Sequence, residues 1–409
     1  MIISLSVLVL MLCMAGITPL RYRQLKVAAP LYWLLSVGGQ LMVLPLTVLA
    51  LVLAVAGHDS RVFPLAILAG LAGLAGIVRQ WRVRRQAIKT AERLGLGGAK
   101  DFAVGPMDVA RWLGVFFCRR RGLVIKRDVA YGQFVAQKMD IYRDDRPGET
   151  RPVLIHIHGG AWVTGKKGQM GRPLIHDMAQ RGWLVCDIEY RLGPEHRYPA
   201  MVVDVLCAIA WIKANAGRYG GNGEFVAVSG GSAGGHLTAL STLLPEALRR
   251  DYAAGASTDV QAVAPCYGRY DFLDRFDIIN DPIIANFTRD KVMPGAVEDV
   301  GEAIWREASP IDQVGPHLPA CLLVHGGGDC MIDRDEARVF AEAQAAVAAN
   351  DFEFFLAPGV QHAFDLGHCI QADAINRLIQ LFLNRCHARF SESRLQEFSA
   401  AGDRESIAP

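Results

Sequence analysis

Acidic side chains are almost missing from the first fifth of this chain. Between Met1 and Val78 the sole carboxylate is Asp59. A water-exposed surface of that length carries both signs of charge, so the lack excludes an ordinary soluble leader and points to a bilayer. An excess of either charge is missing from the chain as a whole: 43 Lys and Arg stand against 41 Asp and Glu, for a net charge of +2. No basic field of the kind nucleic acid requires is present, and no nucleic-acid partner is expected. Paired cysteines are lacking too. The nine cysteines, at 13, 118, 186, 207, 266, 321, 330, 369 and 386, form no C-x-x-C pair and no metal-like cluster. That spacing excludes a zinc ribbon and fits reduced, mostly buried thiols in a reducing compartment. Internal repeats and low-complexity tracts are absent.

What fills the acid-poor region is three apolar runs. Met1–Leu20 is uncharged, Leu31–Ala56 has only Ser36, Gln40 and Thr47 as polar interruptions, and Val62–Val78 is rich in glycine and alanine. A bilayer core takes about 20 apolar residues and tolerates about 17, so three membrane-spanning helices are expected over residues 1–78. Gly70, Gly73 and Gly76 with Ala66, Ala69 and Ala72 place small residues four apart, a spacing that lets helices pack closely in lipid. The first run lacks a basic start and a small-residue cleavage site, as Pro19 is soon followed by Arg21, so it reads as a retained helix rather than a signal peptide. Arg21, Arg23 and Lys26 follow the first run and Arg79, Arg82, Arg84 and Arg85 the third, while the second loop holds only His58, Asp59 and Arg61. The positive-inside rule then expects an integral membrane protein whose remaining chain lies on the cytoplasmic side. Residues 79–123 form a basic connector with arginines at 119–121. Its segment Asp108–Cys118 has one apolar side when wound as a helix, and fits either the membrane surface or a cap over the next domain.

From residue 124 to 390 strand and helix patterns alternate, the mark of an α/β class with a mostly parallel sheet and helices on both faces. Val124–Tyr131 and Gln137–Tyr142 read as an opening strand pair, followed by strands at 152–158, 183–190 and 226–230. A helix is expected from Val202 to Ala216, then strands at 260–265, 320–325 and 352–356, with helices at 334–349 and 370–385. The polar residues 391–409 read as a flexible tail.

The stretch that organises this domain is Val226-Ala-Val-Ser-Gly-Gly-Ser232-Ala-Gly-Gly-His236. It is G-x-S-x-G between a strand and a helix, where a serine on a sharp turn is presented as a nucleophile and flanking glycines let strand and helix approach. Upstream, His158-Gly-Gly-Ala-Trp162 follows a strand. The N–H groups of Gly159 and Gly160, with that of Ala233, are the candidate donors to an oxyanion. Downstream, Asp329 ends a strand-to-glycine turn and His362 follows the last strand. A serine needs a base within hydrogen-bond reach and a carboxylate to hold the base's tautomer, so Ser232, Asp329 and His362 form the candidate triad. Asp333, Asp335 and Asp365 compete for the carboxylate role and read as helix-start or surface charges. His156 and His158 lack a carboxylate or third ligand and do not read as a metal pair; His158 reads as holding the loop by hydrogen bonds, and no metal or organic cofactor is expected.

These motifs, with Tyr190-Arg-Leu-Gly-Pro-Glu-His196 and Tyr198-Pro-Ala200, resemble the hormone-sensitive-lipase-like branch of the α/β-hydrolases. The resemblance covers roughly residues 124–390 and implies an α/β-hydrolase fold, ester hydrolysis and a small-molecule or lipid ester as substrate. Two departures stand out: Gly231 where the branch usually has an acidic or small polar residue, and Ala161 in place of the third glycine of HGGG. Residues 268–316 exceed a simple connection and are expected to shape an acyl pocket, with Trp162, Tyr270 and Phe272 as candidate substrate contacts. An amidase or formamidase and an acyltransferase could use the same triad, and a non-catalytic membrane scaffold could keep the fold. The polar groups that the chemistry needs are all present, which favours a membrane-anchored serine esterase or lipase.

Overall fold

A computed structural model of the chain describes residues 2–18, 20, 22–25, 28–56, 62–115, 122–146 and 150–405. Arg21, Lys26, the loop with His58, Asp59 and Arg61, Cys118 and the arginines at 119–121 lie outside the described residues.

Eight strands make one sheet: β1 (Leu123–Ala130), β2 (Lys138–Asp144), β3 (Arg151–Ile157), β4 (Leu184–Ile188), β5 (Gly221–Gly231), β6 (Ala262–Cys266), β7 (Ala320–Gly326) and β8 (Phe352–Ala357). Their order is β1-β2-β4-β3-β5-β6-β7-β8. The first two pairings are antiparallel and every other pairing is parallel. This is the mostly parallel α/β sheet expected from the alternation of elements.

Successive side chains of a strand point to opposite faces, and β3 divides accordingly. Val153, Ile155 and Ile157 enter one core with helices Ala200–Asn215, Ala233–Leu243 and Arg334–Ala345. Leu154 enters the other, with helix Arg172–Gln180 and the helix that starts at Ile370. With both faces covered, a central strand is apolar throughout, which is why β3 reads as a continuous run. The outer strand β1 is exposed along most of its length and carries Lys126 and Arg127, charges that discourage edge pairing with another chain.

The N-terminal region departs from three straight spans. The run Leu31–Ala56 is two helices, Ala29–Leu41 and Val43–Ala56, bent by 78° at Met42. Pro45 accounts for the break: it has no N–H to offer the Leu41 carbonyl, and its ring crowds that oxygen. The third run does not end near Val78 but continues as one helix, Val62–Arg93. Its second half is not a separate connector; Val83, Ala87 and Ala91 pack into the same core as Ile375, Leu378 and Phe382. Helix Pro106–Leu113 also sits on the domain, with Trp112 buried and donating to Asp373 over 2.9 Å.

Helices Ile2–Ile17, Val43–Ala56 and Val62–Arg93 share a small apolar core of Val9, Cys13, Leu46, Ala50, Ala69 and Ala72. Small residues are needed there. A Cβ on Gly39 would lie 2.1 Å from the Leu12 carbonyl, and one on Gly73 would lie 2.1 Å from Thr47 Oγ1. The outward side of this bundle exposes Leu8, Met11, Leu51, Val55, Phe63 and Leu71. Among the described residues two helices, or three if the bent pair is counted as one, are long and apolar enough to cross a membrane. One of them, at 200–219, packs into the core of the α/β domain, so apolar composition alone does not make a span.

Residues 391–405 of the segment expected to be a flexible tail are helical instead, because the last helix runs from Ile370 to Glu405, and residues 406–409 lie outside the described residues. Arg394 ties it to Glu224 and, one turn on, to Glu397. Good helix formers follow Ser391, so the polar composition reflects a solvated helix face.

Candidate active site

Ser232 stands between β5 and helix Ala233–Leu243 with φ 58° and ψ −121°. A non-glycine residue in such a conformation is strained by about 1–3 kcal/mol. The surrounding backbone holds it there: Ser232 N donates to the Cys266 carbonyl and His236 N to the Ser232 carbonyl, each over 3.0 Å. The turn depends on Gly234, since a Cβ there would lie 2.0 Å from the Ile157 carbonyl.

The histidine and carboxylate arrive from the far half of the sheet. Parallel pairing of β7 with β8 sets Gly326 beside Ala357, so the loops that follow them lie side by side. His362 Nε2 lies 2.9 Å from Ser232 Oγ, and His362 Nδ1 lies 2.8 Å from Asp329 Oδ2. A carboxylate accepts only, so Nδ1 carries the proton and Nε2 is free to take one from the serine. Asp329 Oδ1 accepts from the N–H groups of Met331 and Ile332, both at 2.9 Å. Burial alone would raise the Asp329 carboxyl. The adjacent His362, with help from His325 and the Ile332 N–H, outweighs burial and holds it below the usual carboxylate range. His325, which opens the stretch His325-Gly-x-x-Asp329, has its Nε2 3.4 Å from Asp329 Oδ2. It is wholly buried, and burial lowers its pKa.

The competing carboxylates have other partners. Asp333 caps helix Arg334–Ala345 by accepting from Asp335 N over 3.0 Å. Asp365 accepts from the Tyr267 hydroxyl in the core. That hydroxyl also explains Gly231, because a Cβ at 231 would lie 2.1 Å from it. The space that any side chain at 231 would need is filled here by Tyr267.

Gly159 and Gly160 follow β3 directly beside the serine. A Cβ on Gly159 would lie 3.0 Å from Ser232 Cβ, so no larger residue fits against Ser232. Gly160 has φ 126°, and Ala161 and Trp162 continue with φ 51° and 62°. Ala161 therefore adopts the left-handed backbone that a third glycine would take more readily. His158 holds the loop as expected: its Nδ1 is 2.7 Å from the Gly159 carbonyl, and its ring stacks on Tyr190 at 4.5 Å. His156 pairs with buried Asp187 over 2.9 Å.

Residues 139–343 match the BD-FAE family. Esterase LipC of Mycobacterium tuberculosis is 36% identical over 317 residues, which cover 76% of this chain and 77% of LipC. The chain belongs to the BD-FAE family. A second relative from the same organism, the probable carboxylic ester hydrolase LipM, is 33% identical over 312 residues, covering 75% of this chain and 70% of LipM. Esterase B from Lactobacillus rhamnosis has the same fold, with a TM-score of 0.58 at 19% identity, over 78% of this chain and 99% of that one. This BD-FAE protein is accordingly an α/β-hydrolase and a carboxylic ester hydrolase. The family match includes Ser232 and Asp329 but stops before His362, which the fold itself carries to the serine.

In this esterase the three aromatic side chains proposed as substrate contacts do not share one surface. Trp162 and Phe272 meet edge to face at 5.1 Å, and Phe272 stacks on His236 at 4.7 Å. Trp162 Nε1 donates to His236 Nδ1, whose other nitrogen faces the Ala308 carbonyl. Tyr270 is fully buried and stacks on Phe340 at 4.4 Å, which makes it a core residue. The backbone of Tyr270 and Asp271 is held by Glu336, whose Oε1 accepts from both N–H groups, at 2.6 and 2.9 Å. Burial pushes the Glu336 carboxyl up to about 7 from an ordinary 4.5, although Arg269 and those N–H groups pull the other way. A raised folded-state pKa gives stability that is complete below 4.5 and lost as pH rises through about 7. Glu336→Gln, a stand-in for the protonated acid, is therefore expected to gain on the order of 1–3 kcal/mol over wild type at pH 8 and little at pH 4.5, read by denaturant unfolding at both pH values.

A further group of site residues escaped the sequence reading altogether. Trp33 Nε1 donates to the His362 carbonyl over 3.0 Å. Gln40 Nε2 donates to the Gly359 carbonyl over 3.0 Å, and its Oε1 accepts from Gln361 N at 3.1 Å and Gln371 Nε2 at 2.8 Å. Arg79 Nη2 donates to the same Gly359 carbonyl over 2.7 Å. The N-terminal helices thus clamp the loop that carries His362. Ala29 also packs with Ile279 of the 268–316 segment and with Met331, beside the Asp329 turn. Gln40→Leu keeps the side-chain bulk but strands the polar groups around it, and a shift of the His362 loop of about 1 Å is expected to cost roughly 100-fold in kcat. A positioning role predicts that loss in kcat with KM nearly constant, and partial recovery in Gln40→Glu, where the acceptor oxygen remains.

Proposed function

We propose that this esterase is anchored in a membrane and cleaves esters through an acyl-enzyme on Ser232. The observation that carries the reading is the continuous path from Ser232 Oγ through the two nitrogens of His362 to Asp329. Ser232 attacks the ester carbonyl as His362 Nε2 removes its proton, and Asp329 steadies the imidazolium that forms. The N–H groups of Gly159, Gly160 and Ala233 take the negative charge of the tetrahedral oxygen, each such donor being worth about 2.7–4 kcal/mol. His362 returns the proton to the leaving alcohol, then activates water to release the acid.

Membrane anchoring is supported by the exposed apolar belt of the N-terminal bundle, a surface that water disfavours. Arg79 donates to the Ile17 carbonyl, so the end of the first helix and the basic stretch of the long helix lie together beside the hydrolase domain. By the positive-inside rule that side is cytoplasmic. A base loop clamped by these helices favours an ester that partitions into the bilayer, such as an acylglycerol.

The test is labelling of detergent-solubilised protein with a fluorophosphonate probe, wild type beside Ser232→Ala. Wild type is expected to label and the variant to remain blank. Failure of wild type to label, where a control esterase does, rejects the activated serine. Higher turnover of water-soluble esters than of lipid esters in native membranes rejects the lipid substrate.

A further inference from the structure

Where the long helix passes from the apolar bundle to the hydrolase domain, a cleft of about 780 Å³ opens at its side. The upper wall is Ile17, Ala75 and Val78, the lower wall is Arg79, Arg82 and Arg334, and the floor is Gly327, Pro358 and Gly359. Three arginines and no carboxylate line the cleft. Two of the arginines are partly committed. Arg79 bonds the Ile17 and Gly359 carbonyls, and Arg334 Nη1 donates to the Gly327 carbonyl over 2.9 Å. Arg334 Nε is buried with no hydrogen-bond partner. The nearest carboxylate to it, Asp335, is 4.0 Å away and is engaged by Arg338 at 2.8 Å. Arg82 is solvent-exposed at the rim of the cleft.

We propose that this cleft binds the head group of an anionic phospholipid. A phosphate accepts several N–H bonds at once, which is the chemistry that clustered, incompletely satisfied guanidinium groups recognise. The apolar wall above the arginines is continuous with the exposed Leu71, Leu74 and Val78 of the long helix, so an acyl chain has a surface to follow. That continuity favours a lipid over a soluble phosphate. Basic pockets at the cytoplasmic end of membrane helices bind acidic head groups in the same way. The floor consists of the turns leading to Asp329 and His362, so the lipid would rest directly on the backbone that holds the triad. The site is separate from Ser232 and does not take substrate.

The inference rests on the membrane reading, and the experiment separates the two. Carbonate extraction first asks whether the protein stays in the membrane pellet; release into the supernatant defeats the membrane reading itself. Protein purified in non-ionic detergent is then titrated with dioleoyl phosphatidylglycerol or dioleoyl phosphatidylcholine and examined by native mass spectrometry. Phosphatidylglycerol is expected to bind about tenfold more tightly than phosphatidylcholine. Arg82→Gln, and more fully Arg82→Gln with Arg334→Gln, are expected to abolish that preference, whereas Arg85→Gln, which removes the same charge one turn away outside the cleft, leaves it intact. Arg82→Gln breaks no internal contact of an exposed side chain, so its fold is preserved. Equal binding of the two lipids by membrane-embedded wild type, or equal loss in Arg85→Gln, overturns the site. Displacement of phosphatidylglycerol by glycerol phosphate at equal concentration overturns the lipid in favour of a soluble phosphate.

Discussion

His362→Ala is expected to lower kcat by about four to six orders of magnitude with little change in KM. The serine hydroxyl is a weak nucleophile until a base removes its proton as it attacks. His362 Nε2, 2.9 Å from Ser232 Oγ, is the group placed to do so. Nearby histidines do not replace it: His236 has both ring nitrogens engaged, His158 stacks on Tyr190, and His325 is wholly buried on the Asp329 side. The substrate binds in the same place with or without the imidazole, so the loss falls on the chemical step. Because serine and base act as one unit, Ser232→Ala with His362→Ala is expected to be no slower than either single variant. Steady-state kinetics on a chromogenic ester decide the matter. A fall of less than tenfold would remove the base assignment and with it the acyl-enzyme mechanism.

The three candidate catalytic groups stand out in the sequence because each follows a strand at a glycine-rich turn, a local signature that survives without knowledge of the fold. Ser232, Asp329 and His362 come together because those turns share one end of a parallel sheet. The supports of the site were not readable. Gln40 looked like a tolerated interruption in an apolar run, yet it bonds a loop more than 300 residues away. Nothing in a local period announces such a contact. Arg79, read as an orientation charge, and Trp33, which has no motif around it, were hidden for the same reason. Gly231 illustrates the converse. As sequence it was a departure from the resembled branch; in three dimensions it is the consequence of Tyr267 filling the space above it. The bend at Met42 had its cause in view at Pro45, but the continuous hydropathy of the run concealed it.

Asp329→Asn is the second large effect, and its sign comes from which carboxylate oxygen is already occupied. Oδ1 accepts from the Met331 and Ile332 N–H groups, so the asparagine oxygen is expected to stay at that position. The amide NH2 must then take the place of Oδ2, 2.8 Å from His362 Nδ1. Two donors cannot share a hydrogen bond, so Nδ1 is forced to accept and the ring proton moves to Nε2. A protonated Nε2 facing Ser232 has no lone pair to take the hydroxyl proton. The predicted cost is about 10⁴ in kcat, the size seen when the triad carboxylate of trypsin is changed in the same way. The geometry of the serine and of the oxyanion glycines stays intact, so fold stability and substrate binding are expected to change little. Fluorophosphonate labelling of Asp329→Asn should accordingly be slowed by orders of magnitude rather than abolished, in contrast to Ser232→Ala, which has no atom to label. If Asp329→Asn keeps more than a tenth of wild-type kcat, the tautomer is being held by another group. His325, 3.4 Å from the same carboxylate oxygen, would be the first place to look.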